Sequence, residues 1–179
     1  MKILIVVDMQ HDFVDGVLGS PEAREIVPNI AEKISQYSSD NNSIIIYTKD
    51  THFEDYMETQ EGKYLPVEHC IRGTWGWEIV PELVTDKNAY TVEKFSFGYE
   101  GFPKWLRDNL TLPFVKPNIE SIELVGVCTS ICVISNALIL KSAFREIPLI
   151  VDSKCCACVS KETHEAALLA MKTCQIEVI

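Results

Sequence analysis

Val125-Gly126-Val127-Cys128-Thr129-Ser130-Ile131-Cys132-Val133 is the stretch that decides the fold. Ser121-Ile122-Glu123-Leu124 leads into it as a buried strand, and the apolar run from Ile131 to about Ala143 leads out as a helix. Small residues at a strand-to-helix turn leave backbone N–H groups facing a crevice. Cys132 falls near the positive end of the helix dipole, which favours thiolate over thiol. The junction therefore predicts a parallel strand that presents a nucleophile at its carboxyl end.

Working outward, other buried strands end in the same manner. Lys2 to Val7 is a continuous aliphatic run of the kind buried on both faces of a parallel sheet, and Asp8 follows it. Ser43 to Thr48 is a second such run, with Asp50 and His52 just beyond. Tyr90 to Lys94 reads as a short strand ending in its lysine. Alone, Asp8 is a loop acid or a helix cap, and Lys94 is a solvated surface charge. Their shared position at strand ends is what marks them, because open α/β sheets collect working residues there.

Between the strands, apolar spacing predicts helices. One runs from Ala23 to Tyr37 with Pro28 in its first turn, one from Phe102 to Asn109, and one from Glu162 to Thr173 behind an N-cap at Ser160. Val80 to Val84 is a short helix or turn. Ile147 to Val151 is a further strand, Asp152 to Cys158 a loop, and Gln175 to Ile179 a last strand. Residues 112–117 form a linker. Strand and helix alternate about six times without repeats. The expected fold is a three-layer α/β/α sandwich with a mostly parallel six-stranded sheet, as a single domain over residues 1–179.

The stretch from Lys49 to Cys70 is long, rich in acids and interrupted by Gly62 and Pro66. An irregular segment of that length in a compact domain usually has a function. Asp50 and His52 are two apart, so in extended chain their side chains face one side. With His69 and a glutamate they make a mixed oxygen and nitrogen donor set suited to Zn, Fe(II) or Mn. By spacing alone, a polar surface loop with two ordinary histidines fits equally well. Ile71-Arg72-Gly73-Thr74-Trp75-Gly76-Trp77 either walls a pocket or packs on the core.

Composition narrows the functions open to the chain. A net charge of -10 argues against nucleic acid or an anionic membrane as a partner through a basic surface. No run approaches the roughly 18 apolar residues of a membrane span. Asp8 interrupts the N-terminal run too early for a signal peptide, so a cytoplasmic protein is expected. Seven cysteines, an odd number without framework spacing, fit reduced thiols. Cys128/Cys132 and Cys155/Cys156/Cys158 lack the paired form of a zinc ribbon. Cys156, Cys158 and Cys174 are expected as small core residues, and Cys70 as a bystander beside His69. The helix after Cys132 is apolar nearly all round, which predicts cover from a partner subunit in a homo-oligomer.

Taken together, these motifs resemble the isochorismatase-like cysteine hydrolase family, and within it most closely the nicotinamidase/pyrazinamidase members. Asp8-Met9-Gln10-His11-Asp12-Phe13 resembles the first-strand motif with its catalytic aspartate. Asp50-Thr51-His52 and His69 resemble the metal motif, and Lys94 the family lysine. Gly126 to Val133 resembles the nucleophile motif, and Glu162 to Leu168 the last helix. Cys128 stands where a small residue such as alanine is usual, and Ser130 where aspartate is frequent.

The resemblance implies a catalytic set of Asp8, Lys94 and Cys132. It implies an oxyanion site from the backbone N–H groups of Cys128 and Cys132, and a cis peptide before Cys128. It implies one divalent metal ion, Zn in first place with Fe or Mn as alternatives, on Asp50, His52, Glu61 and His69; Glu58 is the substitute for Glu61. Phe13, Leu65 and Phe97 would wall a substrate ring. The implied activity is hydrolysis of nicotinamide to nicotinate and ammonia through a thioester. Two rival readings share the residues: a hydrolase of the same fold acting on another small amide or N-carbamoyl compound, and a non-catalytic metal- or ligand-binding protein. A redox sensor built on the Cys155–Cys158 cluster is a third.

Overall fold

A computed structural model of the chain describes residues 1–84, 89–110 and 118–179. The segment read as a linker, residues 112–117, lies outside the described residues. Six strands, β1 (Lys2–Val7), β2 (Ser43–Asp50), β3 (Tyr90–Lys94), β4 (Ser121–Val127), β5 (Leu149–Ala157) and β6 (Glu177–Val178), form one sheet in the order β3-β2-β1-β4-β5-β6. Every pairing in it is parallel.

The helices are α1 (His11–Val14), α2 (Pro21–Glu25), α3 (Val27–Ser39), α4 (Gln60–Tyr64), α5 (Phe102–Leu110), α6 (Ile134–Ala143) and α7 (Lys161–Thr173). The aliphatic strands alternate between two cores, which is why they read as continuous apolar runs. Ile3, Ile5 and Val7 pack with Ile122, Leu124 and residues of α5, α6 and α7. Leu4 and Val6 pack with Val125, Val127 and the Ile30/Ile34 face of α3. The three-layer sandwich expected from the sequence is the observed one. The described residues contain no helix long and apolar enough to cross a membrane.

Three element boundaries differ from expectation. The helix read from Ala23 to Tyr37 is two helices that meet at Ile26. Ser20 caps the first through its hydroxyl, which accepts the Ala23 N–H at 3.0 Å, and Pro28 lies in the first turn of the second. Residues 152–157, read as loop, continue β5. The β4–β5 register shifts between Leu124 and Gly126, and the polar residues fall in that irregularity. There Asp152 pairs with Lys33 at 2.7 Å and the Ser153 hydroxyl donates to the Ile179 carbonyl at 2.6 Å. Within the long segment after β2, a 3-10 turn (Tyr56–Glu58) and α4 replace irregular chain.

β1 is the point from which the chain winds outward in both directions, first to β2 and β3, then to β4, β5 and β6. Ligands of open α/β sheets bind in the crevice at such a switch point. Gly126 holds the two central strands together there. Its φ is +116°, and a Cβ would stand 2.1 Å from the Val7 carbonyl oxygen. Both the left-handed backbone and the close approach demand glycine. Gly126→Ala is expected to cost about 3 kcal/mol or more. The check is urea unfolding, where the midpoint should fall at unchanged slope.

Candidate active site

Three strand ends deliver three side chains to one spot. Asp8 follows β1 with φ +51° and is wholly buried. Lys94 closes β3 and is also wholly buried, with Asp50 opposite it in register on β2. The lysine Nζ lies 2.8 Å from Asp8 Oδ2, 3.0 Å from Asp50 Oδ1, 3.1 Å from the Ser96 carbonyl and 3.6 Å from Cys132 Sγ. One buried cation thus touches two carboxylates and a thiol. Thr48 Oγ1 donates to Asp8 Oδ1 at 2.6 Å, which aims the other oxygen at the lysine and the thiol.

Cys132 arrives by a π-type turn over Thr129–Val133 that joins β4 to α6. The Cys128 carbonyl accepts the N–H groups of Ile131 and Val133, each at 3.1 Å, and the peptide Val127–Cys128 is cis, as the resemblance implied. Asn136, one turn further on, is fully buried. Its side-chain amide donates to the Cys132 carbonyl at 2.9 Å and its side-chain oxygen accepts the Tyr99 N–H at 2.9 Å. This ties the turn to the segment after β3.

The helix end favours the thiolate, but the surroundings of the sulfur oppose it. Burial pushes the Cys132 thiol well up, the Asp8 carboxylate adds to this, and Lys94 opposes them without prevailing. Desolvation outweighs the half-charge of a helix terminus because the sulfur is sealed among carboxylates. Burial also raises Asp8, against the pull of Lys94. Lys94 is raised by its anionic neighbours despite its own burial, and so stays charged.

Beside this trio, Asp50, His52, Glu61 and His69 offer donor atoms that all lie within 4.8 Å of one another. Asp50 Oδ2 is 3.2 Å from His52 Nε2 and 3.9 Å from His69 Nε2, and Glu61 Oε1 is 3.7 and 3.9 Å from the same two nitrogens. His52 Nε2 is buried and makes no hydrogen bond. His69 Nδ1 sits 2.8 Å from the Val67 carbonyl, which makes it the protonated nitrogen and turns a lone pair at Nε2 toward the cluster. Convergent lone pairs without protein donors fit a divalent cation of the Zn, Fe or Mn type. α4 brings Glu61 here, while Glu58 is exposed on the preceding 3-10 turn and stays outside the cluster. Cys70 is buried, donates its N–H to Asp12 Oδ2 at 2.7 Å and is not part of it.

A cavity of about 380 Å3 opens over both groups. Phe13, Leu65 and Phe97 are on its walls, together with Cys128, Cys132 and Cys158. Trp75 and Trp77 do not line it. Trp77 lies under Lys49, whose Nζ is 3.0 Å from the ring centroid, and Trp75 stacks on His11. Cys158, expected in the core, faces the cavity, and Cys174, also expected there, is exposed at the end of α7.

Three polar residues escaped the sequence reading. Besides Thr48 and Asn136, Gln10 is fully buried and bridges strand ends. Its amide donates to the Asp50 and Trp77 carbonyls at 2.8 and 2.9 Å, and its oxygen accepts the Asp50 N–H at 2.7 Å. An asparagine four residues after Cys132, one turn on in a mostly apolar helix, was the one visible signal.

A family model described as Isochorismatase domain matches residues 2–179. The nicotinamidase/pyrazinamidase of Mycobacterium tuberculosis is 29% identical over 204 residues, covering 100% of this chain and 98% of that protein. The nicotinamidase of Saccharomyces cerevisiae is 25% identical over 175 residues, 77% of this chain and 80% of that protein. Among solved structures, the pyrazinamidase of Pyrococcus horikoshii in complex with zinc superposes with a TM-score of 0.85 at 26% identity, covering 99% of this chain and 98% of that one. Matched from residue 2 to residue 179, the chain belongs to the isochorismatase domain family.

Proposed function

We propose that the protein is a metal-containing cysteine amidohydrolase that converts nicotinamide to nicotinate and ammonia. The observation that carries this is a cavity lined by Cys132, Asp50, Glu61 and His69, beneath which the buried Asp8–Lys94–Cys132 cluster adjoins a four-residue donor set. Relatives named nicotinamidase or pyrazinamidase support an amide bond as the target.

An amide is a weak electrophile with a poor leaving group, so its hydrolysis needs a strong nucleophile, a site for the oxyanion and an acid for nitrogen. Cys132 supplies the sulfur. Its thiol proton passes to the Asp8 carboxylate, which sits at the same Lys94 ammonium as the sulfur. Lys94, 3.6 Å from the sulfur, stabilises the thiolate as it forms. The backbone N–H groups of Cys128 and Cys132 receive the carbonyl oxygen's developing charge. Asp8 then gives the proton to the departing ammonia and takes one from the water that opens the thioester. Phe13, Leu65 and Phe97 enclose the ring and keep water off it. One divalent ion held by Asp50, His52, Glu61 and His69 supplies, when bound, a Lewis-acid contact that fixes a ring nitrogen and so orients the amide.

The test is ammonia release from nicotinamide by the purified native protein, with metal content measured on the same sample. We expect about one transition-metal ion per chain. We also expect turnover that is lost on dialysis against a chelator and restored by added metal. Turnover of other small amides but not nicotinamide would move the assignment to another substrate of the same chemistry. Full activity without metal would sink the metal assignment.

A further inference from the structure

Turnover as described uses one of three thiols around the cavity. Cys128 and Cys158 also line it. Val127 on β4 is the register partner of Ala157 on β5, so these cysteines are the next residues out along two neighbouring parallel strands. Neighbouring strands lie about 4.8 Å apart. Disulfides span Cα separations of about 4.4–6.8 Å. Both side chains line the same cavity, and Cys158 rests against the hydroxyl of Ser130, two residues beyond Cys128. Thr129 Oγ1 donates to the Ala157 carbonyl at 2.9 Å and pins the two strand ends together.

The pair is asymmetric. Cys158 Sγ lies 2.9 Å from Ser130 Oγ and 3.3 Å from Thr163 Oγ1, and it stands two residues before Ser160, the N-cap of α7. Its neighbours Cys128, Ser130 and Thr163 bring the Cys158 thiol down to about 4 against its burial. Cys128 is driven upward by its neighbour Cys158 and by burial. A polarised thiolate next to a protonated thiol is the arrangement of an attacking and a resolving cysteine. The grouping expected from sequence does not form. Cys155 packs on the α2/α3 side near Asp152, and Cys156 lies in the opposite core.

We propose that Cys158 and Cys128 form a dithiol site that reacts with small hydroperoxides inside the cavity, separately from Cys132. The Cys158 thiolate attacks the peroxide, forming an S–O bond and breaking O–O. Sulfur is oxidised to sulfenic acid, and the peroxide is reduced to hydroxide or alkoxide. Cys128 then attacks that sulfur. The S–S bond forms, S–O breaks, and the Cys128 proton leaves with the oxygen as water. The product staples the tips of β4 and β5 at the cavity wall and displaces Cys128 from the turn. Reversible arrest of amide hydrolysis follows; this consequence alone rests on the functional reading above.

The experiment treats the reduced full-length protein, and in parallel Cys132→Ala, with hydrogen peroxide and reads thiol state by peptide mass mapping. A Cys128–Cys158 cross-link should form in both. Cys158 should be lost about tenfold faster than Cys174, an exposed thiol on the same chain. Cys128→Ser should leave Cys158 as a sulfenic acid captured by dimedone, and Cys158→Ser should form no cross-link. Should Cys158→Ser fail to fold, the dimedone adduct in Cys128→Ser decides. Oxidation confined to Cys132 or Cys174, a cross-link with another partner, or Cys158 reacting no faster than Cys174 overturns the proposal. None of these readings needs amidase activity, so an inactive protein would leave them intact.

Discussion

Cys132→Ala is expected to reduce ammonia release from nicotinamide by at least about 10^4-fold while leaving the fold intact. The physical case is that Cys132 is the cavity thiol set beside the buried Lys94 and its carboxylates. Asp8 shares the Lys94 ammonium with the sulfur, but its carboxylate is held by Thr48 at 2.6 Å and by Lys94 at 2.8 Å, and is not free to approach a carbonyl carbon. Cys128 and Cys158 lie at the cavity wall, and among the described residues Cys132 is the thiol recorded in contact with Lys94. Alanine removes one sulfur atom from a buried position, so the stability loss should stay within about 2 kcal/mol. Circular dichroism and urea unfolding check the fold, and a coupled ammonia assay checks the rate. Cys132→Ser should be nearly as inactive, since a hydroxyl sealed beside carboxylates is harder to ionise than a thiol. Turnover within tenfold of the parent in either variant would remove Cys132 as the nucleophile.

Where the sequence was legible, it was so because strands buried on both faces leave an unmistakable run of aliphatic residues. Wherever such a run stops, a polar residue is conspicuous. Asp8, Asp50 and Lys94 were found in this way, and both carboxylates converge within hydrogen-bonding distance of the lysine. The same signal fails on β5. There the register shift beside Gly126 puts Asp152, Ser153 and Lys154 inside a strand, and a polar run reads as a loop. It fails again for Gln10 and Thr48, whose importance comes from the particular carbonyls and carboxylates they meet after folding. The burial of the Cys132 thiol was hidden for a related reason. A helix end can be read from sequence, but desolvation depends on everything that closes over the sulfur. Glu61 and Glu58 could not be separated by spacing. They part only because a 3-10 turn ends at Glu58 and α4 starts at Gln60, which rotates Glu61 toward the histidines.

Lys94→Met is expected to cost both stability and turnover, and the two losses can be separated. Lys94 is the cation between Asp8 and Asp50, and all three are buried. Methionine fills most of the same volume, so packing changes little, but two carboxylates are left facing each other in a low-dielectric pocket. Removing one partner from a buried ionic cluster costs about 3–5 kcal/mol, because the remaining charge is neither solvated nor paired. Urea unfolding should show a loss of this size. Proton uptake by one carboxylate would relieve part of it, so the loss should shrink as pH is lowered toward the range where a buried carboxyl protonates. The double variant Lys94→Met/Asp8→Asn removes one of the two charges and should recover part of the stability. It should recover no turnover, because the thiolate would lack its cation and the thiol its base. A drop of about 10^3-fold or more is expected for the single variant, from the lost electrostatic support alone. If the double variant regained activity along with stability, Lys94 would be a structural cation and its contact with Cys132 incidental to the chemistry. If Lys94→Met were as stable as the parent, the premise of a buried charge that must be paired would itself be wrong.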